Sequence, residues 1–183
     1  MKDWFKRLSV PQFLTFGFFA VILIGSTLLS LPIASNSGEW TPFIDALFTA
    51  TSATCVTGQV IYNTAQHWGL FGQIVIITLI EIGGLGVMTL IVLLFLFLGK
   101  KLNLKDRMLI HDALNLKESN DAIVIVKYVL KFAVSVQVLG ALVLSIQLVP
   151  QYGWLKGSYF SVFHAISAFC NAGFDLFGDS LMS

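Results

Sequence analysis

Phe48-Thr-Ala-Thr-Ser-Ala-Thr-Cys-Val-Thr-Gly58 and Phe163-His-Ala-Ile-Ser-Ala-Phe-Cys-Asn-Ala-Gly173 are one pattern written twice, 115 residues apart. Six of the eleven positions agree: Phe48/Phe163, Ala50/Ala165, Ser52/Ser167, Ala53/Ala168, Cys55/Cys170 and Gly58/Gly173. The same register holds upstream, where it pairs Val21 with Val136, Gly25 with Gly140, Leu29 with Leu144 and Ser30 with Ser145. The duplicated unit therefore includes the apolar run before each segment, and a duplication of this size governs how every single motif is read.

Those apolar runs have membrane length. Of 183 residues, 56% are hydrophobic and only 11% charged, with a mean hydropathy of +0.83, well outside the range of soluble domains. After Lys2, Lys6 and Arg7 no Lys or Arg occurs before Lys100. The first span, Phe13–Leu31, is uncharged and ends at Pro32. It exceeds the ~7–15-residue apolar core of a signal peptide and lacks a small-residue cleavage site, so it reads as a crossing helix. The second, Leu70–Leu98, carries Glu81 as its sole charge and is longer than a crossing needs, which implies tilt, a bend or an extension beyond the bilayer. The third, Ala122–Val149, places Lys127 and Lys131 on one face of its first third, where both can snorkel to an interface.

Lys100, Lys101, Lys105, Arg107 and Lys117 crowd the segment between the second and third spans, whereas the connections after the first and third contribute only Lys156. The excess of positive charge on cytoplasmic loops puts the N-terminus and residues 99–121 inside, with 34–69 and 151–183 outside. Within 99–121, apolar residues mix with charges at roughly helical spacing, which suits a helix on the membrane surface and a solvated connector equally.

Each unit thus predicts a span, an outward loop, a short apolar helix of about ten residues, and a small-residue tail ending in glycine. Thr41 with Pro42 is expected to start the first short helix, and Ser158 after Gly157 the second. Non-helical backbone at membrane depth is tolerated only where protein buries it or where it lines a wet cavity. An ion path is such a cavity. The C-terminal end of a short helix carries partial negative charge that favours a cation, the carbonyls beyond it can replace the ion's hydration shell, and glycine permits the backbone angles that turn them inward. Gly58 and Gly173 as ordinary loop turns are the plainer alternative, and the repetition speaks against it. An anion path would call for helix N-termini or Arg/Lys at the constriction, which neither segment offers.

Thr54-Cys-Val-Thr-Gly58, Phe169-Cys-Asn-Ala-Gly173 and Glu81-Ile-Gly83-Gly84-Leu-Gly86-Val-Met-Thr89 resemble, in combination and over essentially the whole chain, the Trk/Ktr/HKT superfamily of potassium transporters, and within it most closely the pore-forming subunits of bacterial Ktr systems. The resemblance implies an all-α multi-spanning membrane protein in which four outer helix, re-entrant pore helix and filter loop, inner helix units surround one pore. Residues 1–98 would be one complete unit (outer helix 13–31, pore helix and filter 42–58, inner helix 70–98), 99–121 a cytoplasmic linker, and 122–183 an incomplete unit (outer helix 122–149, pore helix and filter 158–174) without its inner helix. Potassium would meet the backbone carbonyls of Val56, Thr57, Gly58, Asn171, Ala172 and Gly173, with Cys55 and Cys170 one step deeper. Glycine at Gly58, where serine goes with sodium, implies potassium.

The resemblance further implies uptake across the plasma membrane with a cytoplasmic N-terminus, no enzymatic activity and no organic cofactor. Expected partners are a second copy of the full-length subunit, a cytosolic nucleotide-binding regulatory subunit that residues 99–121 can contact, and lipid, but no nucleic acid. The present chain is expected to be part of a longer protein and not to close a pore by itself. Two other readings stand beside this one: a sodium/potassium-coupled transporter of the same family, and a non-transporting membrane assembly subunit.

Cys55 and Cys170 form no zinc-type spacing, and convergent catalytic side chains at membrane depth are limited to Glu81 and these two thiols. Glu81 is expected to point into the bundle and pair with a helix outside this chain, ahead of binding an ion directly. Gly83, Gly84 and Gly86 permit close helix approach or a bend. His67 and His111 read as surface residues and His164 as a buried hydrogen-bonding residue. For Asp175 and Asp179, attraction of cations at an outer mouth and loop solvation both remain open.

Overall fold

The computed structural model describes residues 10–86 and 121–178. Within them the chain forms α1 (Val10–Ser30), a 3-10 turn (Pro32–Ala34), α2 (Phe43–Thr54), α3 (Thr64–His67), α4 (Leu70–Leu85), α5 (Asp121–Tyr152) and α6 (Trp154–Phe169). No strand occurs among the described residues beyond one isolated bridge, Ser35 with Trp68. The continuation of the second span, the basic 99–120 segment, His111 and Asp179 lie outside the described residues.

Apolar sequence at this density folds as helix because lipid offers the backbone no hydrogen-bond partner, so each peptide group must be satisfied within its own segment. At 21 residues α1 is about 31 Å long, close to a hydrocarbon core. Hydroxyls near its end bond backward within the helix, Ser26 Oγ donating to Ile22 O at 2.6 Å and Ser30 Oγ to Thr27 O at 2.9 Å, which satisfies them without water. Among the described residues Lys127–Tyr152 of α5 is long and apolar enough to cross, while Leu14–Ser30 and Leu70–Leu85 are shorter apolar helices. Phe132, Leu139, Val143 and Ile146 of α5 are exposed along one face, as suits a helix whose solvent is hydrocarbon.

Two starts differ from the sequence expectation. Thr41 does not cap α2: Pro42 takes the N-cap position without a side-chain bond, and the Thr41 hydroxyl turns to His67. Ser158 does not begin the second short helix either, because α6 starts at Trp154 and the Ser158 hydroxyl simply bonds back to Trp154 O. The expected outward loop of the second unit shrinks to one residue. Gly153, at φ +83, lets the chain reverse between α5 and α6 in a single step that an L side chain resists. The two helices then close tightly, with a Cβ at Gly157 meeting Val149 Cα at 2.6 Å.

α4 is the common neighbour, packing on α1, α2, the 3-10 turn and α6. Its Val75, Ile76, Leu79 and Ile80 are buried, as are Leu29 of α1 and Ala46, Ala50 and Ala53 of α2. Small residues let the helices approach, which is the main source of association where lipid removes the hydrophobic drive. A Cβ at Gly25 would lie 2.7 Å from the Leu79 side chain, and one at Gly72 would overlap the Ala34 carbonyl oxygen.

A polar clasp fixes the connection before α2 to the one before α4. Asn36 N–H donates to His67 O and Gly69 N–H to Ala34 O, each at 2.9 Å, and the Asn36 amide donates to Gln66 O at 2.8 Å. His67 is half-buried, not a surface residue: its ring stacks on Tyr62 at 4.0 Å and its Nε2 shares a 3.1 Å hydrogen bond with Thr41 Oγ1. Tyr62 in turn donates to Asp45 of α2, and that bond, with a smaller contribution from burial, raises the phenol above its ordinary 10.0.

Burial holds the His67 imidazole below its usual 6.5, against a smaller upward pull from Asp45. The folded clasp therefore binds fewer protons than the unfolded chain just below pH 6.5, so its stability rises with pH there and is lost on acidification. Hydrogen exchange across residues 62–69, corrected for intrinsic rate, should accelerate as the pH falls through that window. His67→Gln should flatten the dependence.

Candidate functional site

α2 and α6 end in matching backbone. The C-caps Cys55 (φ −86, ψ 0) and Cys170 (φ −76, ψ −7) are each followed by a residue in the left-handed region, Val56 at φ 57 and Asn171 at φ 58, and two positions later by Gly58 at φ 74 and Gly173 at φ 72. The hydrogen bonds agree as well. Cys55 N–H reaches Thr51 O at 2.8 Å and Cys170 N–H reaches Ile166 O at 2.9 Å; Val56 N–H reaches Ala53 O at 3.3 Å and Asn171 N–H reaches Ala168 O at 3.0 Å; Thr57 N–H reaches Ser52 O at 2.9 Å and Ala172 N–H reaches Ser167 O at 2.8 Å.

Left-handed φ costs a non-glycine residue about 1–2 kcal/mol, and a β-branched valine is a genuine outlier there. Backbone held in this way at two places is over-determined by its surroundings, a feature that clusters at functional sites. Its geometric result follows from the planar trans peptide, whose N–H and C=O point in opposite directions. Since the N–H groups of Val56, Thr57, Asn171 and Ala172 turn back into their helices, the carbonyls of Cys55, Val56, Cys170 and Asn171 point away from them.

The two tails meet. A Cβ on Gly58 would lie 2.8 Å from Ala172 O and 3.3 Å from Gly173 Cα, and one on Gly173 would lie 3.2 Å from Gly58 Cα. Both rest on consecutive residues of α4. A Cβ at Gly83 would overlap the Thr54 carbonyl, and one at Gly84 would stand 2.5 Å from Cys170 Sγ, so these two glycines provide close approach. Gly86 instead closes α4 at φ +81 with open space around it. The partially negative ends of α2 and α6 are thereby brought to one place.

Side chains brace the loops differently. Thr57 Oγ1 donates to Ser52 Oγ at 2.9 Å, whereas Ser167 Oγ donates to Phe174 O at 2.7 Å. His164 is buried and hydrogen-bonded, as its sequence context suggested: Nδ1–H donates to Phe160 O at 2.7 Å, Nε2 accepts Leu176 N–H at 3.1 Å, and the ring stacks on Phe177 at 4.2 Å. Asp175 does structural work, its Oδ1 accepting the N–H groups of Phe177 and Gly178 at 2.9 and 2.8 Å.

Glu81 departs from expectation, because its partner lies within the chain. Gln137 Nε2 of α5 donates to both carboxylate oxygens at 2.9 Å, and Cys170 S–H donates to Oε2 at 3.6 Å. Gln137 was overlooked in the sequence, although an amide set among apolar residues of a span was a usable signal. The Asn63 amide donating to Gly178 O at 2.6 Å and Tyr159 O–H donating to Gln73 Oε1 at 3.0 Å, which tie the two halves together, had no such signal.

Apolar helices, one of them long enough to cross a bilayer, that meet at paired, strained backbone loops define an all-helical protein of membrane character. The chain belongs to the TrkH family of cation transport proteins, whose profile matches residues 11–183. It is 56% identical over 178 residues to the potassium/sodium uptake protein NtpJ of Enterococcus hirae, covering 97% of this chain and 40% of that one. It is 52% identical over 178 residues to Ktr system potassium uptake protein B of Bacillus subtilis, with 97% and 39% covered, and 42% identical over 173 residues to the protein of that name from Vibrio alginolyticus, with 94% and 38% covered. The chain thus spans about two fifths of the length of these relatives. The family is one of membrane cation transporters and not of enzymes.

The glycines of the site differ in what they tolerate. Gly83→Ala drives a methyl into the Thr54 carbonyl and should destabilise the protein by about 3 kcal/mol or more, read as its midpoint temperature after solubilisation. Gly25→Ala, on α1 away from the site, meets the side-chain end of Leu79 instead of backbone and should cost less, about 1 kcal/mol.

Proposed function

We propose that this chain contributes two of the backbone-carbonyl filter segments through which a longer protein takes up potassium. The observation that carries the reading is the contact of Gly58 with Gly173 at the ends of two helices with matching terminal backbone. In it, α1, α2 and α4 belong to one outer helix, pore helix and inner helix unit within residues 1–98, residues 99–121 link it on the cytoplasmic side, and α5 and α6 open a second unit within 122–183. Potassium is held by carbonyls of Val56, Thr57, Gly58, Asn171, Ala172 and Gly173, with those of Cys55 and Cys170 at a deeper level. The outward-turned carbonyls of Cys55, Val56, Cys170 and Asn171 support this assignment.

Uptake runs across the plasma membrane with the N-terminus in the cytoplasm. The full-length subunit pairs with a second copy and with a cytosolic nucleotide-binding regulatory subunit, a reading that the likeness to proteins named for Ktr systems supports. A coupled sodium/potassium transporter is the second reading, favoured by the name of the Enterococcus hirae relative, a potassium/sodium uptake protein. Sodium dependence of potassium uptake by the full-length parent separates the two.

Gly58→Ser tests the filter. The serine would carry its side chain at φ +74 and press on Ala172 O, so both segments must move. In a potassium-uptake-deficient cell, growth at limiting potassium should fall, and the preference for potassium over sodium should drop roughly tenfold, a change of about 1.4 kcal/mol. Equal growth and equal preference would overturn the assignment.

A further inference from the structure

Glu81 is the charge for which the filter reading has no use. It sits on α4 one turn from the two glycines that carry the tails, its carboxylate receives Gln137 Nε2–H at 2.9 Å on each oxygen and Cys170 S–H at 3.6 Å on Oε2, and Gly84 beside it is pressed against Cys170. Three helices are joined at one side chain: α4 supplies the acid, α5 the amide, and the C-cap of α6 the thiol. Among the described residues no Lys, Arg or His forms an ion pair with Glu81. A charged side chain at membrane depth costs a few kcal/mol, and such groups mark function more often than packing.

Among the described residues the first segment has no counterpart to this arrangement. Cys55, the residue equivalent to Cys170, is exposed, and Thr54 beside it lies against Gly83 of α4. The second segment adds a side-chain tether. That tether reaches the C-cap whose next residue, Asn171, is the left-handed one, so a shift of Cys170 rotates the peptide that carries the Cys170 carbonyl.

We propose that Glu81 is a positioning residue for selectivity: by clamping Gln137 and Cys170 it fixes the rotation of the second filter segment relative to the first. This rests on the filter reading above. Two parallel acceptor oxygens are what the clamp needs, since one answers the amide alone and the other answers amide and thiol together. Glu81→Gln keeps size and shape but replaces one acceptor by a donor, which faces the donor of Gln137. Gln137→Leu leaves the carboxylate with the thiol only.

The test is made in the full-length parent, reconstituted in liposomes, with rubidium and sodium uptake measured side by side for wild type, Glu81→Gln, Gln137→Leu, their double variant and Gly58→Ser. Each clamp variant should lower the preference for rubidium over sodium by roughly threefold to tenfold, within the span of coupling between contacting residues, and the double variant should be no worse than the more severe single. A clamp that merely holds the helices together would lower the amount of protein or the rate for both ions and leave the ratio alone. That outcome, or additive effects in the double variant, overturns the proposal while Gly58→Ser still reports a working filter. If Gly58→Ser also leaves the ratio unchanged, the filter reading fails and takes this one with it. Should Glu81→Gln not be recovered from the membrane, Gln137→Leu with Cys170→Ala carries the same comparison, because each removes one arm and keeps the acid.

Discussion

The arrangement depends on how closely α4 approaches the ends of two other helices. At Gly83 and Gly84 the backbone of α4 comes so near to Thr54 and Cys170 that no Cβ fits at either position. Two consecutive residues therefore set the spacing of α2 and α6, and with it the spacing of Gly58 and Gly173. In lipid this contact has no hydrophobic drive behind it, so surface fit and a few hydrogen bonds must hold it. Glu81 supplies several of those bonds from the same turn.

Strained backbone persists at Val56 and Asn171 for a related reason. Each residue has its N–H consumed by a helix end, the tails meet two positions further on at Gly58 and Gly173, and the carbonyls turned outward are the by-product.

Much of this was legible in the sequence. The 115-residue repeat located both tails to the residue, because small side chains and glycine are demanded by backbone contact and therefore survive duplication. The starts of the short helices were not legible. Thr41 and Ser158 are good capping residues by type, but His67 recruits the first from 26 residues away, and Gly153 ends α5 so abruptly that α6 begins before Ser158 is reached. The partner of Glu81 was not legible, because a neutral amide and a thiol on distant helices carry no charge that would mark them as its complement. Contacts such as Asn63 with Gly178 arise only when the halves are folded together, and no local pattern announces them.

The joint at Gly153 gives the two loops unequal mountings. Between α1 and α2 the chain has residues 31–42 in which to absorb a displacement of the outer helix, and the clasp around His67 anchors that slack to the rest of the protein. Between α5 and α6 there is a single residue, flanked by the close seam of Gly157 with Val149. The second short helix therefore behaves as a bracket rigidly bolted to its span, and the first as one hung on a strap. Two loops of near-identical shape would then deform differently under the same mechanical load.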